Sequence, residues 1–259
     1  MDKGLISIVT PAYNSERYIA DAIESVKNQT YPLREHIIID GGSYDRTMDI
    51  IREYENLYPL KWISEKDDGI ADAMNKGFMM ARGEIVTWLD ADNWFAPEVF
   101  STIADIFDND KSIDIVYGNI IYIDNKKARS YAPPNNIDFK MALLHTTGAI
   151  PLQPGVFFKK SLFERVGGFD SNYKIACDFD FWLRVLKIDP KIHYLSETIG
   201  FYRSGISSAA SQSISGLFFG FKEVLKISSL HGYSITGRIN LIVKYCFGLV
   251  GSLKRYLSQ

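Results

Sequence analysis

Short apolar runs alternate along this chain with stretches in which apolar residues recur every three or four positions. The runs Leu5 to Val9, His36 to Ile39, Trp62-Ile63 and Ile85 to Leu89 read as strands. Each closes on polar residues: Thr10-Pro11-Ala12-Tyr13-Asn14, Asp40-Gly41-Gly42-Ser43, Ser64-Glu65 and Asp90-Ala91-Asp92. Between the runs, Ile19, Ala22, Ile23 and Val26 fall at helical spacing, and Asn28 to Pro32 supply the stop. Met48, Ile50 and Ile51 mark a second helix, Ala71 to Ala81 a third and Val99 to Phe107 a fourth. The alternation predicts a parallel, doubly wound α/β sheet, whose ligands sit outside the carboxyl ends of the strands.

The second half continues with a β-rich run from Asp114 to Ile123, a short helix from Ile137 to Leu144 and a strand from Gly155 to Phe158. A helix from Leu162 to Val166 follows, with Gly167-Gly168 as its C-cap, and then an amphipathic helix from Cys177 to Ile188. Phe181 and Trp182 read as core, and Pro133-Pro134-Asn135-Asn136 as a loop or lid. The tail differs from the rest. From Val224 to Gln259 it carries Lys226, Arg238, Lys244, Lys254 and Arg255 and no acid. Its Ile235, Ile239, Ile242, Val243, Cys246, Val250, Leu253 and Leu257 share one helical face. The apolar stretch is shorter than the ~20 residues of a membrane span. An in-plane helix on an anionic membrane is therefore expected, and a helix packed on the protein is the alternative. The expected divisions are a catalytic domain over 1–212, with halves of about 1–110 and 111–212, and a helical basic tail over 213–259.

Length and composition fit that plan. The 259 residues, 46% hydrophobic and 23% charged, suit one globular domain with an extension. A net charge of −2 gives no reason to expect nucleic acid as a partner. Cys177 and Cys246 form no metal-spaced pair, and Met1 to Gly4 opens no signal peptide, so a cytoplasmic location is expected, peripheral to the membrane if the tail binds it.

The candidate chemistry lies at the strand ends. Two carboxylates one residue apart, Asp90 and Asp92, leave a strand toward one cleft and suit a hard divalent cation such as Mg²⁺ or Mn²⁺. Such an ion would hold something anionic in that cleft. An acid at Asp72 also matches the preference of a helix first turn.

These motifs resemble family 2 glycosyltransferases of the GT-A fold. The resemblance rests on Thr10 to Asn14, Asp40 to Ser43, Glu65-Lys66-Asp67-Asp68-Gly69, Asp72 to Gly77 and Asp90-Ala91-Asp92 in that order. It continues through Gly167-Gly168-Phe169-Asp170 and Asp178 to Arg184, over roughly the first 205 residues. The Gly-Gly-Ser form after Asp40 is similar to that of bacterial enzymes assembling O-antigen, capsule or exopolysaccharide. The resemblance implies a nucleotide-sugar donor, most simply a UDP-sugar, and a saccharide acceptor carried on a lipid. It implies Asp92 as the direct metal ligand and Asp90, beside Ala91, as a contact to ribose or to the metal through water. Asp40 would accept from the uracil ring, with Ser43 beside it. Pro11, Tyr13 and Asn14 would form the facing wall, and Lys66, Asp68 and Asp72 would lie by the base and ribose. Gln153 would touch a sugar, and Arg203, on a flexible loop, would close over the diphosphate. His145 reads as an ordinary loop residue.

An inverting transfer also needs a base, and Asp178 is the choice, with Asp180 second. Asp178 aligns with the acid of a Glu-Asp pair common in the family, although Cys177 stands where the Glu often does. Asp180 is expected to hold Arg184. Three other readings compete with this one. A sugar-nucleotide pyrophosphorylase would open with a Gly-rich, Arg-containing loop, and a dehydrogenase with G-x-G-x-x-G; neither follows the first strand. A non-catalytic nucleotide-sugar binding module would keep Asp40 and Asp92 but need no base.

Overall fold

The computed structural model describes residues 4–124, 127–143, 150–151, 153–203 and 214–232. In chain order the first half runs β1 (Ile6–Ala12), α1 (Ile19–Lys27), β2 (Arg34–Asp40), α2 (Thr47–Tyr54), β3 (Leu60–Ser64), α3 (Ile70–Met80), β4 (Ile85–Trp88), β5 (Trp94–Phe95) and α4 (Val99–Asn109). The second half adds β6 (Ile115–Asp124), β7 (Lys127–Tyr131), α5 (Phe139–Leu143), β8 (Val156–Lys159), α6 (Lys160–Val166), α7 (Cys177–Lys187), β9 (Ile192–Arg203) and α8 (Ile214–Leu230). His145 and residues 233–259 lie outside the described residues.

Among the described residues, nine strands make one sheet in the order β3-β2-β1-β4-β8-β6-β9-β5, with β7 paired to β6. The first four are parallel, as the alternating pattern predicts. The continuation is mixed. β8 runs antiparallel to both β4 and β6, and β9 returns parallel to β6. The sequence pattern alone missed β5, β7 and β9. β5 is two residues long, and most of β7 is exposed, so neither carries an alternation. β9 is interrupted where its register against β6 shifts around Gly118 and Asn119. A Cβ on Gly118 would lie 2.6 Å from the Leu195 carbonyl oxygen, so only glycine admits this approach.

Residues alternate between two cores, one on each face of the sheet. Ile8 and Phe157 join Ala22, Val26, Phe100 and Ile103 on one side. Val9, Trp88 and Phe158 join α3, α6 and α7 on the other. There Trp88 stacks on Trp182, with centroids 5.9 Å apart, and Phe169 stacks on Phe181 at 4.4 Å. Both Phe181 and Trp182 are fully buried, as expected. Aromatic pairs of this kind are each worth about 0.5–1.5 kcal/mol beyond their burial. Their consequence for the site is mechanical: β4, which leads into Asp90, is locked to α7, which begins at Cys177.

α8 packs against α7. The helical face expected from Ile235 to Leu257 lies outside the described residues, and no helix among the described residues is long and apolar enough to cross a membrane.

Candidate active site

Three loops at the carboxyl ends of β1, β2 and β4 form one side of the site. The first two are tied together. The Asn14 backbone N–H donates to Ser43 Oγ at 2.8 Å, and the Tyr44 N–H donates to Asn14 Oδ1 at 3.1 Å. Asn14 takes a positive φ of 47°, a conformation that Asn tolerates better than most residues. Pro11 remains inside β1, paired with Ile39. Beyond it the Tyr13 ring is 59% exposed and meets Tyr44 edge-on at 6.3 Å, giving an accessible aromatic wall.

Asp40 closes β2 with no accessible surface. Its Oδ2 accepts from Gly42 N–H (3.2 Å), Ser43 N–H (3.0 Å) and Ser64 Oγ (2.7 Å), and its Oδ1 accepts from the Ser43 hydroxyl. A carboxylate has about four lone-pair sites, so Oδ1 keeps one. Asp40 shapes the turn in this arrangement, and half-buried Ser43 is the more accessible polar group. Lys66 is exposed; its backbone backs onto Gly42, whose φ of 81° a side chain would strain. Asp67 Oδ1 accepts from Gly69 N–H at 2.9 Å, and the carboxylate lies so close to Gly41 that a Cβ there would meet Oδ2 at 2.8 Å. Asp72, in the first turn of α3, accepts from Asp68 N–H at 3.2 Å and pairs with Lys76 at 3.1 Å. That is the helix-start role its position offered from the sequence.

Asp90, Ala91 and Asp92 turn sharply after β4. Asn93 N–H donates to the Asp90 carbonyl at 3.0 Å, and Asn93 Nδ2 to its carboxylate at 3.3 Å. Ala91 is buried. Burial pushes the pKa of Asp90 up to about 7, with the negative charges of Asp92 and then Asp178 adding to it. Burial also raises Asp92 and Asp178. Asp178 has solvent-accessible surface, yet it sits in the first turn of α7 crowded by surrounding protein, so its charge is still desolvated. Desolvation and then the same three carboxylates push the Tyr202 phenol up to about 12. Asp90, Asp92, Asp178 and Tyr202 thus converge.

A divalent cation needs hard oxygen ligands and an excess of local negative charge, and this cluster provides both. No group of three or more His, Cys, Asp or Glu side chains is poised around a common cation position among the described residues. The fit is that of an ion held by one or two carboxylates and completed by phosphate oxygens.

Arg203 requires a correction. It is the last residue of β9 and not part of a flexible loop. Its N–H donates to Asn93 Oδ1 (2.9 Å), its Nε to the Asp92 carbonyl (3.1 Å) and its Nη2 to Asp21 (2.6 Å). Its guanidinium lies 4.6 Å from the ring centroids of both Tyr18 and Trp94. Sequence reasoning missed these partners because they lie far away along the chain. Arg203 braces the turn that carries Asp90 and Asp92. Asp180 is buried and holds Arg184, with Nε to Oδ2 at 2.8 Å, as expected. Gln153 is buried, and among the described residues neither of its amide atoms finds a partner.

The model of the family described as glycosyl transferase family 2 matches residues 7–167. The chain belongs to glycosyl transferase family 2. Over 73% of its length this family 2 chain is 31% identical to a chondroitin synthase of Escherichia coli, covering 27% of that protein. Over 76% of its length it is 31% identical to an uncharacterized glycosyltransferase of Nostoc sp., covering 64% of it. It therefore spans less than two thirds of the length of these relatives. Among solved structures, S. aureus TarS 1-349 in complex with UDP-GlcNAc superposes with a TM-score of 0.72 at 19% identity, covering 93% of this chain and 71% of that one. The mannosyltransferase PcManGT from Pyrobaculum calidifontis, in complex with GDP-Man and Mn²⁺, gives 0.62 at 16% identity, covering 99% and 84%. This likeness establishes the GT-A fold.

Tyr44, Asp67 and Tyr202 were absent from the residues selected on sequence. Tyr44 adjoins the Asp40 to Ser43 motif and Asp67 lies inside the Glu65 to Gly69 motif, so proximity along the chain was an available signal. Tyr202 adjoins Arg203 along the chain, but its neighbours Asp90 and Asp92 in space follow β4, far away in sequence.

Proposed function

We propose that this family 2 enzyme transfers a sugar from a UDP-sugar to a hydroxyl of a saccharide acceptor with inversion at the anomeric carbon. The observation that carries the reading is the convergence of Asp90, Asp92 and Asp178 at the end of β4. Asp92 and Asp90 would hold Mn²⁺ or Mg²⁺ together with the donor diphosphate, and the ion when bound supplies Lewis-acid stabilisation of the leaving phosphate. Tyr13 and Tyr44 flank the nucleoside, with Pro11, Asn14, Lys66 and Asp68 around it. Asp40 has one free lone pair on Oδ1, which suits the single ring N–H of uracil once the Ser43 hydroxyl rotates aside. Two adjacent donors on guanine would be left half-matched.

Asp178 takes the proton from the acceptor hydroxyl as its oxygen bonds to the anomeric carbon and the bond to the diphosphate breaks. Its raised pKa makes it a stronger base than an ordinary carboxylate. Gln153, buried with unpaired amide atoms, is the candidate to orient a sugar hydroxyl. Arg203 acts on the diphosphate through the turn it braces. We place the enzyme in surface polysaccharide assembly with a lipid-linked acceptor, on the support of the basic apolar tail.

Asp178→Asn keeps the volume and removes the base. Transfer should fall about 10²- to 10⁴-fold in single-turnover measurements, while Mn²⁺-dependent UDP affinity stays unchanged. Wild-type transfer by this variant would remove Asp178 from the mechanism, and loss of transfer in Asp180→Asn alone would move the role to Asp180. Wild-type protein that binds UDP-sugars but releases no nucleotide with any donor would favour a binding module.

A further inference from the structure

The turn that leads into α7 carries an unusual concentration of backbone donors. Lys174 N–H donates to Glu223 Oε1 at 2.7 Å, and Ile175 and Ala176 N–H both donate to Glu223 Oε2 at 2.9 Å. Glu223 belongs to α8, is 6% exposed, and lies outside the segment matched by the family model. The Lys174, Ile175 and Ala176 amides precede the first helical residue, Cys177, so a buried acceptor from outside the helix is what satisfies them. One buried carboxylate from another helix therefore fixes three consecutive peptide groups with charge-assisted bonds. α8 can come this close because of Gly220: a Cβ there would sit 3.0 Å from Ile175 Cγ2. Lys226 lies 5.4 Å over the Tyr173 ring, adding a second tie between α8 and the same turn.

The third anchored amide stands two residues before Asp178. The aromatic stack of Trp88 on Trp182 sets the distance between β4 and the body of α7 but does not set the path of the chain into its first turn. We infer that Glu223 is a positioning residue: by holding the turn at 174–176 it places the Asp178 carboxylate opposite the anomeric carbon of the donor. The inference rests on Asp178 being the base. It makes α8 part of the catalytic apparatus and not an appendage.

The test uses the full chain as wild type, E223A, E223Q, D178N and the E223A/D178N double variant. UDP with Mn²⁺ is the binding probe, and the donor is whichever nucleotide sugar the wild type turns over in a panel. In E223A, amide hydrogen exchange at 174–176 should speed up about 10- to 100-fold, as expected for loss of charge-assisted hydrogen bonds. Its kcat should fall by about the same factor with donor KM and UDP affinity unmoved. E223Q, which keeps a carbonyl acceptor, should recover most of the rate, and it carries the comparison if E223A does not fold. Adding E223A to D178N should cost no further rate if Glu223 acts through Asp178. Losses that multiply in the double variant, a parallel loss of UDP affinity, or wild-type kcat in folded E223A would each overturn the inference. Wild-type transfer by D178N would instead sink the base assignment, whatever E223A does.

Discussion

The raised pKa of Asp90 sets function against stability in a way that a single substitution can measure. An Asp whose folded pKa is near 7, against an ordinary value of 3.8, favours the folded state when protonated and penalises it when ionised. The sign follows directly. The favourable contribution is fully present below the unfolded value and is lost as pH rises through the folded one. Asp90→Asn is nearly isosteric, and its amide oxygen can still accept from Asn93 Nδ2, so it removes the charge with little else. Between about pH 5 and pH 7 wild type should lose stability relative to the variant at about 1.4 kcal/mol per pH unit, at most about 2.7 kcal/mol. Coupling to Asp92 and Asp178 and partial solvent access reduce this to about 1–2 kcal/mol. Urea unfolding of both proteins without metal, at about pH 5 and about pH 8, measures the difference. Asp90→Asn should be the more stable protein at the higher pH, and Mn²⁺ should stabilise wild type but not the variant. A stability gap that does not change with pH, or a variant less stable at pH 8, would refute the electrostatic account of this cluster.

Asp92→Ala should leave the fold intact, since the side chain is only half-buried, and weaken Mn²⁺-dependent UDP binding about 100-fold or more by calorimetry; undiminished affinity would exclude Asp92 as a ligand. The tail is tested by Lys254→Glu with Arg255→Glu, which should weaken binding to vesicles rich in anionic lipid at least about tenfold. Unchanged vesicle binding would remove the membrane role. Truncation to study the tail should begin after residue 232, because a cut after Ser213 also deletes α8 and Glu223.

The first half was legible because its information is local. Runs such as Ile6 to Val9, apolar but for Ser7, are buried on both faces of a parallel sheet, and the polar residues that end each run lie at the carboxyl edge. Asp90-Ala91-Asp92 could be read the same way, and Asp178 followed from a motif several residues long. The second half was less legible. β8 inserts antiparallel between β4 and β6, and β5 pairs with β9, relations between segments about 40 to 107 positions apart.

What the sequence by itself determined was which residues can form strands, turns and helix faces, and which of them bring carboxylates to a strand end. Period and turn chemistry are properties of neighbours along the chain. Tertiary structure decided everything that depends on distant groups sharing one low-dielectric space. It set the elevation of the Asp90 pKa, by burial and then by the charges of Asp92 and Asp178, and it placed Arg203 between Tyr18 and Trp94. It also satisfied three amides before α7 with the carboxylate of Glu223, 47 to 49 positions along the chain. Electrostatic coupling and hydrogen bonding act through space over a few ångströms, and only the folded chain sets those distances.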